Sequence, residues 1–380
     1  PTLSLLSREF MKFSCKQQTL TKALNIVSKA VTIRTTIPIL KGILLKVDEE
    51  GMLTMSASDL DLSIEKKVKV ENSVPGSIVV LSKLFGDIIR KLPDGEIIVE
   101  ETEGKVNIKC ASSEFNIIGL PSDEFPNINP TEGNEEKIVF DKEILKDMIR
   151  KTSFAASIDE NKGVITGILI EMEENTLNMV AVDGFRMAIA REAMKNKERE
   201  NIIISAKILS EISRIISESE DDRDDIEVLL SDKKAVFVME DTKVVSRLLE
   251  GKFMDYKRIL PSENGCRVVL NKNDFMDSVE RASLLAKVGK NNLVKLDIKD
   301  SVIEITSKSE EGNVKEEVII TKEGEDVTIG FNSKYLLDAL KVIEDESIVL
   351  LFNNSVSPCL IKPVSGDSFE YLVLPVRLGQ

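Results

Sequence analysis

The chain has 380 residues, with 51 Lys and Arg against 65 Asp and Glu, a formal charge of −14, no Trp and no His. Without imidazole it cannot run a Ser-His-Asp or Cys-His nucleophile, a His general base, or a His-ligated zinc or haem. The acid excess, taken alone, also argues against nucleic acid, whose phosphates are met by Lys and Arg.

A single core rarely grows past ~250–300 residues, so two or three domains are expected. Hydrophobic residues make up 42% and charged residues 31%, which describes a globular chain with apolar runs of strand length and none of membrane length. Cys15, Cys110, Cys266 and Cys359 form no CxxC and read as free thiols of a reducing cytoplasm. Residues 1–10 are set aside as a leader or vector-derived segment, with Met11 taken as the natural start.

In chain order, a strand over 12–14 leads into a helix over 17–31, with Leu20, Leu24, Val27 and Val31 on one face. Alternating segments 42–47, 52–56 and 62–70 read as antiparallel strands. A strand over 78–81 then enters a helix capped by Ser82 and followed by a strand over 96–100. Past the Pro-rich turn 121–130 the series restarts: strand 138–141, then a helix to Ser157 carrying Leu145, Met148, Ile149 and Thr152. Strands 167–171, 177–182 and 187–191 follow, then strand 202–204, a helix capped by Ser205, and strand 225–230. Past the turn 260–263 it restarts again, with strand 268–271 and a helix carrying Phe275, Val279, Ala282 and Ala286. Strands 293–298, 302–306 and 314–320 come next, then strand 327–331, a helix capped by Asn332, and strand 347–352. Phe13, Phe140 and Leu270 mark the repeat, 127 and 130 residues apart. The fold class is therefore α+β, in three tandem similar domains over 11–129, 130–261 and 262–380, each with two helices on antiparallel sheets.

The second helix of each repeat shares one pattern: Lys, two apolar residues, an acid four places after the Lys, and a basic residue seven places after it. The cations are Lys83 and Arg90, Lys207 and Arg214, and Lys334 and Lys341. A seven-residue spacing is about two helical turns, so each pair shares a face opposite the apolar residues. Lys22, Lys29 and Arg150 belong to the first helices. The six helices carry +4 together, which leaves −18 on the rest of the chain. A basic face repeated three times fits phosphate-backbone contact without sequence specificity.

Several stretches resemble the bacterial DNA polymerase III beta subunit, the processivity sliding-clamp family. They are Thr36-Ile37-Pro38-Ile39-Leu40 with Gly42, Leu120-Pro121-Ser122-Asp123-Glu124-Phe125-Pro126, and Val182-Asp183-Gly184-Phe185-Arg186-Met187. Gly251-Lys252-Phe253-Met254-Asp255-Tyr256 and Leu374-Pro375-Val376-Arg377-Leu378 complete the set. The resemblance covers residues 11–378 and implies the DNA-clamp fold: three similar domains per chain, two chains closing head to tail into a ring, twelve helices lining the hole. It implies a non-catalytic subunit, without cofactor or metal, that encircles duplex DNA and tethers the replicative polymerase alpha subunit. Other DNA polymerases, the clamp loader and repair proteins would dock on a shared hydrophobic cleft through peptides such as Gln-Leu-Ser-Leu-Phe. Residence would be cytoplasmic and nucleoid-associated.

Carried over by motif, Ile165, Val182, Gly184, Phe185, Arg186, Met187 and Pro261 would form one pocket of that cleft. Val356, Pro358, Leu374, Pro375, Val376 and Arg377 would form the other. Phe185 stands where many relatives have His, Pro358 where a small polar residue is frequent, and Gly379-Gln380 extend past the usual terminal Leu. The resemblance also implies a dimer contact of Phe115 and Ile117, on an edge strand, with Leu284 and Leu285. Arg34 matches a DNA-backbone contact, while Asp159 stands at a contact position with no proton to give a phosphate. Read without the family, Asp183-Gly184 is simply a hairpin turn.

Two other readings are open to the residues. A carboxylate- and metal-dependent hydrolase or phosphotransferase would use Asp59, Asp61 or the acidic run 218–225, which otherwise read as a turn and a solvated loop. A peptide-binding scaffold without DNA would use the cleft alone.

Overall fold

A computed structural model of the chain describes residues 10–128, 133–196, 199 and 201–379. Leader residues 1–9, Pro130 of the first Pro-rich turn, and Gln380 lie outside them. Phe10, set aside with the leader, instead opens the strand Phe10–Lys16 and pairs with Thr102.

Six α-helices occur among the described residues: α1 (Gln17–Val27), α2 (Ser82–Lys91), α3 (Lys142–Thr152), α4 (Ala206–Glu218), α5 (Lys272–Ala286) and α6 (Ser333–Val342). Each begins at the residue after a strand ends, so the strand register fixes which way the helix face turns. The buried positions follow the expected periodicity, with Leu20, Leu24 and Val27 on α1 and Phe275, Val279 and Ala282 on α5.

Three local expectations are corrected. α1 stops at Val27 and α3 at Thr152, each followed by a single tight turn, Ser28–Ala30 and Ser153–Ala155. At both ends a hydroxyl bonds back to the carbonyl four residues earlier: Ser28 Oγ to Leu24 O at 2.6 Å, and Thr152 Oγ1 to Met148 O at 2.7 Å. Ser82 does not cap α2; it is the first helical residue, buried, with Leu81 in the cap position and no side-chain cap bond. Asn332 does cap α6, its Oδ1 accepting from Lys334 N at 2.9 Å. Asn271 caps α5 in the same way.

The described residues form two compact units, one running to Lys142 and taking in Glu211–Leu248, the other joining Glu143–Ser210 to the residues from Leu249 onward. The middle repeat is thus shared between them. In the first unit, Thr242–Arg247 pairs antiparallel with Leu62–Lys69, extending the first repeat's sheet to eight strands. A separate five-stranded sheet ends in the edge strand Ser113–Ile118. In the second unit, Arg186–Ala193 pairs antiparallel with Phe369–Val373, giving a nine-stranded sheet. A four-stranded sheet there ends in the edge strand Gly312–Ile319.

The first two motifs are structural. Ile39, Leu40, Val79 and Phe125 form one buried cluster, and Leu120 exchanges backbone hydrogen bonds with Val79 at 2.8 and 3.0 Å. All four cysteines are free, with three buried and Cys15 partly so; burial pushes the Cys15 thiol up to about 12.

Candidate peptide cleft and nucleic-acid face

The hairpin between Thr176–Val182 and Arg186–Ala193 carries five residues of the first candidate pocket. Asp183 Oδ1 accepts from Phe185 N at 2.9 Å and Arg186 N at 3.1 Å, and Gly184 takes φ +93°, which favours a residue without Cβ. The turn presents Phe185 to solvent at 54% exposure. Arg186 folds under it. Its Nε donates to Asp183 Oδ2 at 2.9 Å and its Nη1 to Asp338 Oδ2 at 2.5 Å. The guanidinium carbon lies over two rings, 5.6 Å from the centre of Phe154 and 4.6 Å from that of Tyr335, and Tyr335 stacks on Phe185 at 5.8 Å. A buried cation is thereby compensated by two carboxylates and two π faces. Burial would raise the Asp338 carboxyl, but hydrogen bonds from Arg186 and Lys334, with their charges, outweigh it and hold the group below its ordinary value.

The C-terminal half lies against this hairpin in the same sheet. Val373 sits opposite Arg186, Leu374 N donates to Phe185 O at 2.9 Å, and Val376 N donates to Gly330 O at 2.8 Å. Val182 and Met187 belong to a buried core with Leu360 and Leu372, against which Ile165 and Leu260 pack part-buried. Leu374 is 37% exposed at the rim, and Pro375 and Val376 are half-buried. Pro261 follows Leu260 directly and is half-buried. Val356, 65% exposed, and the half-buried Pro358 lie on the turn leading into Cys359–Pro363, which carries Leu360. Arg377 is exposed past the last strand.

Two sheet edges carry apolar side chains. On Ser113–Ile118, Phe115 is 40% exposed, Ile118 80% exposed and Ile117 half-buried. In the other unit, Leu284 on α5 is 68% exposed, Leu285 is half-buried, and Ile319 on the edge strand Gly312–Ile319 is 84% exposed.

The candidate cations divide by exposure. Arg34, Lys83, Arg90, Lys207, Arg214, Lys334, Lys341 and Lys22 are exposed. Lys29 is largely covered, and Arg150 is half-buried, donating to Asp147 Oδ1, Val342 O and Glu344 Oε1. The acid of the repeated helix pattern is a local partner: Lys83 meets Asp87 at 3.2 Å, Arg214 meets Glu211 at 2.5 Å, and Lys334 meets Asp338 at 3.0 Å. Only the Lys83–Asp87 pair is exposed at both ends, and an exposed pair of this kind contributes just ~0.3–0.5 kcal/mol; Glu211 and Asp338 are part-buried, and Asp338 is also held by Arg186.

Models of the N-terminal, central and C-terminal domains of the DNA polymerase III beta subunit match residues 11–129, 139–255 and 257–377. This chain belongs to the DNA polymerase III beta subunit family. A beta sliding clamp of Staphylococcus epidermidis is 36% identical to it, over 97% of this chain and 99% of that protein. The DNA polymerase sliding clamp of Bacillus subtilis superposes with TM-score 0.92 at 33% identity, covering 98% of this chain and all of that one. A Pseudomonas aeruginosa sliding clamp, solved bound to griselimycin, superposes with TM-score 0.90 at 28% identity, over 97% and 100% of the two chains.

For a DNA polymerase III beta subunit, the carboxylates that favoured a hydrolase have other work. Asp59 Oδ1 accepts from Asp61 N and Leu62 N in a turn, as expected of these residues. The acidic run is not simply a solvated loop. The Asp221 side chain is covered; its carboxylate accepts from the Arg223 side chain and Glu240 N, its backbone oxygen accepts from Lys142 Nζ, and Glu218 and Glu220 pair with Lys29, in the turn after α1, and Lys22 of α1. Arg223 above all holds the Asp221 carboxyl well below the usual range. The sequence reading missed Tyr335, Phe154 and Asp338, which contact Arg186 of the candidate pocket. The one available signal was Tyr335 and Asp338 recurring in the helix pattern, and it points to a helix face rather than to a site. No helix among the described residues is long and apolar enough to cross a membrane.

Proposed function

We propose that this chain is a DNA sliding clamp that holds the replicative polymerase on duplex DNA. It is a non-catalytic processivity subunit working in the cytoplasm at the nucleoid. Two copies pair head to tail, the edge strand Ser113–Ile118 of one against the edge strand Gly312–Ile319 of the other, with Phe115, Ile117 and Ile118 meeting Leu284, Leu285 and Ile319. The apolar exposure of both edges supports this pairing, because unpaired edges invite continuation of the sheet. The closed ring surrounds DNA, and Arg34 with the exposed helix cations meets the phosphates without reading bases.

The clamp loader, the polymerase alpha subunit, other DNA polymerases and repair proteins compete for the cleft through short apolar peptides. The observation that carries this part is the bond from Leu374 N to Phe185 O at 2.9 Å, which ties the two halves of the cleft into one surface. An apolar floor with a polar rim suits Leu and Phe anchors. Changing Leu374→Ala together with Arg377→Ala is expected to weaken a peptide ending in Gln-Leu-Ser-Leu-Phe at least tenfold in titration calorimetry, with the dimer mass unchanged. Unchanged affinity would place peptide binding elsewhere.

A further inference from the structure

Between Leu249 and Pro261 the chain crosses the nine-stranded sheet as a strap with one tight turn, Tyr256–Arg258, and no strand pairing of its own. Its backbone is tied to the sheet at the start, where Leu249 N donates to Ile203 O at 2.9 Å; beyond that point the strap's backbone bonds are internal. Phe253 and Tyr256 are buried in the core that also holds Val182, Met187, Leu360 and Leu372, with Ile165, Leu249 and Leu260 packed on it. Apolar packing confines such a segment but does not fix its register, since it has no direction.

One buried polar contact does. Tyr256, 3% exposed, donates its hydroxyl to Glu171 Oε2 at 2.5 Å, and Glu171 is itself 8% exposed on the strand Gly167–Met172. The same carboxylate accepts from Asn178 Nδ2 and Asn201 Nδ2, both at 3.4 Å. A buried carboxylate is costly to leave short of donors, so this bond has one favourable geometry and resists sliding of the strap. Burial and the neighbouring Glu171 both hold the phenol far above its ordinary pKa, so it remains a donor at any working pH.

We propose that Tyr256 is a positioning residue for the peptide cleft: through Glu171 it sets the register of the strap and so the place of the wall that Leu260 and Pro261 supply. The inference rests on the cleft reading given above, and it extends the determinants of peptide affinity to a side chain that touches no peptide.

The test uses the full-length protein with three variants, Tyr256→Phe, Glu171→Ala and Glu171→Gln, and the probe Gln-Leu-Ser-Leu-Phe. Tyr256→Phe and Glu171→Ala are expected to raise the peptide Kd about fivefold and to speed amide exchange over 257–260, with dimer mass unchanged. Glu171→Gln keeps an acceptor for the hydroxyl and is expected to stay within about twofold of the parent. A purely structural bond would lower the melting temperature of Tyr256→Phe and leave the Kd unchanged at 25 °C, and that result overturns the proposal. If the parent protein itself fails to bind the peptide, the cleft reading falls. The exchange rates still decide the strap, because unaltered protection in Tyr256→Phe also overturns the positioning role.

Discussion

Arg186 and Asp338 are 152 positions apart, yet one hydrogen bond between them joins the cleft hairpin to α6. Asp338 Oδ2 receives both that guanidinium and the Lys334 ammonium, which is why its carboxyl is held low despite burial. A carboxyl depressed in the folded state adds stability above its unfolded pKa of ~4 and loses it as pH falls through the lower folded value. Asp338→Asn is therefore expected to destabilise the protein in urea at pH 7, with the gap to the parent closing below about pH 4. A constant gap across that range would mean that charge at Asp338 contributes nothing. At this scale the sequence was half legible. Asp183-Gly184 announces its turn locally, because the Asx bonds and the positive φ involve neighbours in the chain. Tyr335, Phe154 and Asp338 could not be placed, since stacking on a cation depends on which strands become adjacent.

Elements were read more fully. A helix following directly on a strand leaves a change of hydrophobic period at a fixed place, and that change occurs six times. Most predicted strands, such as 42–47, 225–230 and 347–352, coincide with the observed ones. Partner choice was hidden. Alternation in 62–70 says that one face is buried, but not that its neighbour is Thr242–Arg247, some 175 residues later. Helix ends were overrun where Ser28 and Thr152 bond back to the preceding turn, a competition that an apolar pattern does not record. The edge strands carry a direct prediction. Ile118→Lys places an ammonium at 80% exposure on the rim of Ser113–Ile118, where it costs the folded chain little but opposes sheet continuation. Its mass by light scattering is expected to be that of a monomer, with an unchanged circular dichroism spectrum. A persistent dimer would move the interface elsewhere.

For the whole molecule, the net charge of −14 is reconciled with DNA by where charge sits and how it is held. Helix cations are paired within a turn by Asp87, Glu211 and Asp338, and Glu218 and Glu220 reach Lys29 and Lys22. The pairs exposed at both ends, Lys83–Asp87 and Lys22–Glu220, are weak and can open for a phosphate and close behind it, which suits contact that moves along DNA instead of settling on it. Binding of that kind cannot by itself hold the protein on a template. Retention has to come from enclosure, and enclosure is what the paired edges are proposed to supply. The measurement that tests this most directly is retention of the loaded protein on nicked circular DNA before and after the circle is cut at one site. Stable residence on the circle and rapid loss from the linear form are expected at the same ionic strength. Equal loss from both templates, or equal retention on both, would contradict enclosure.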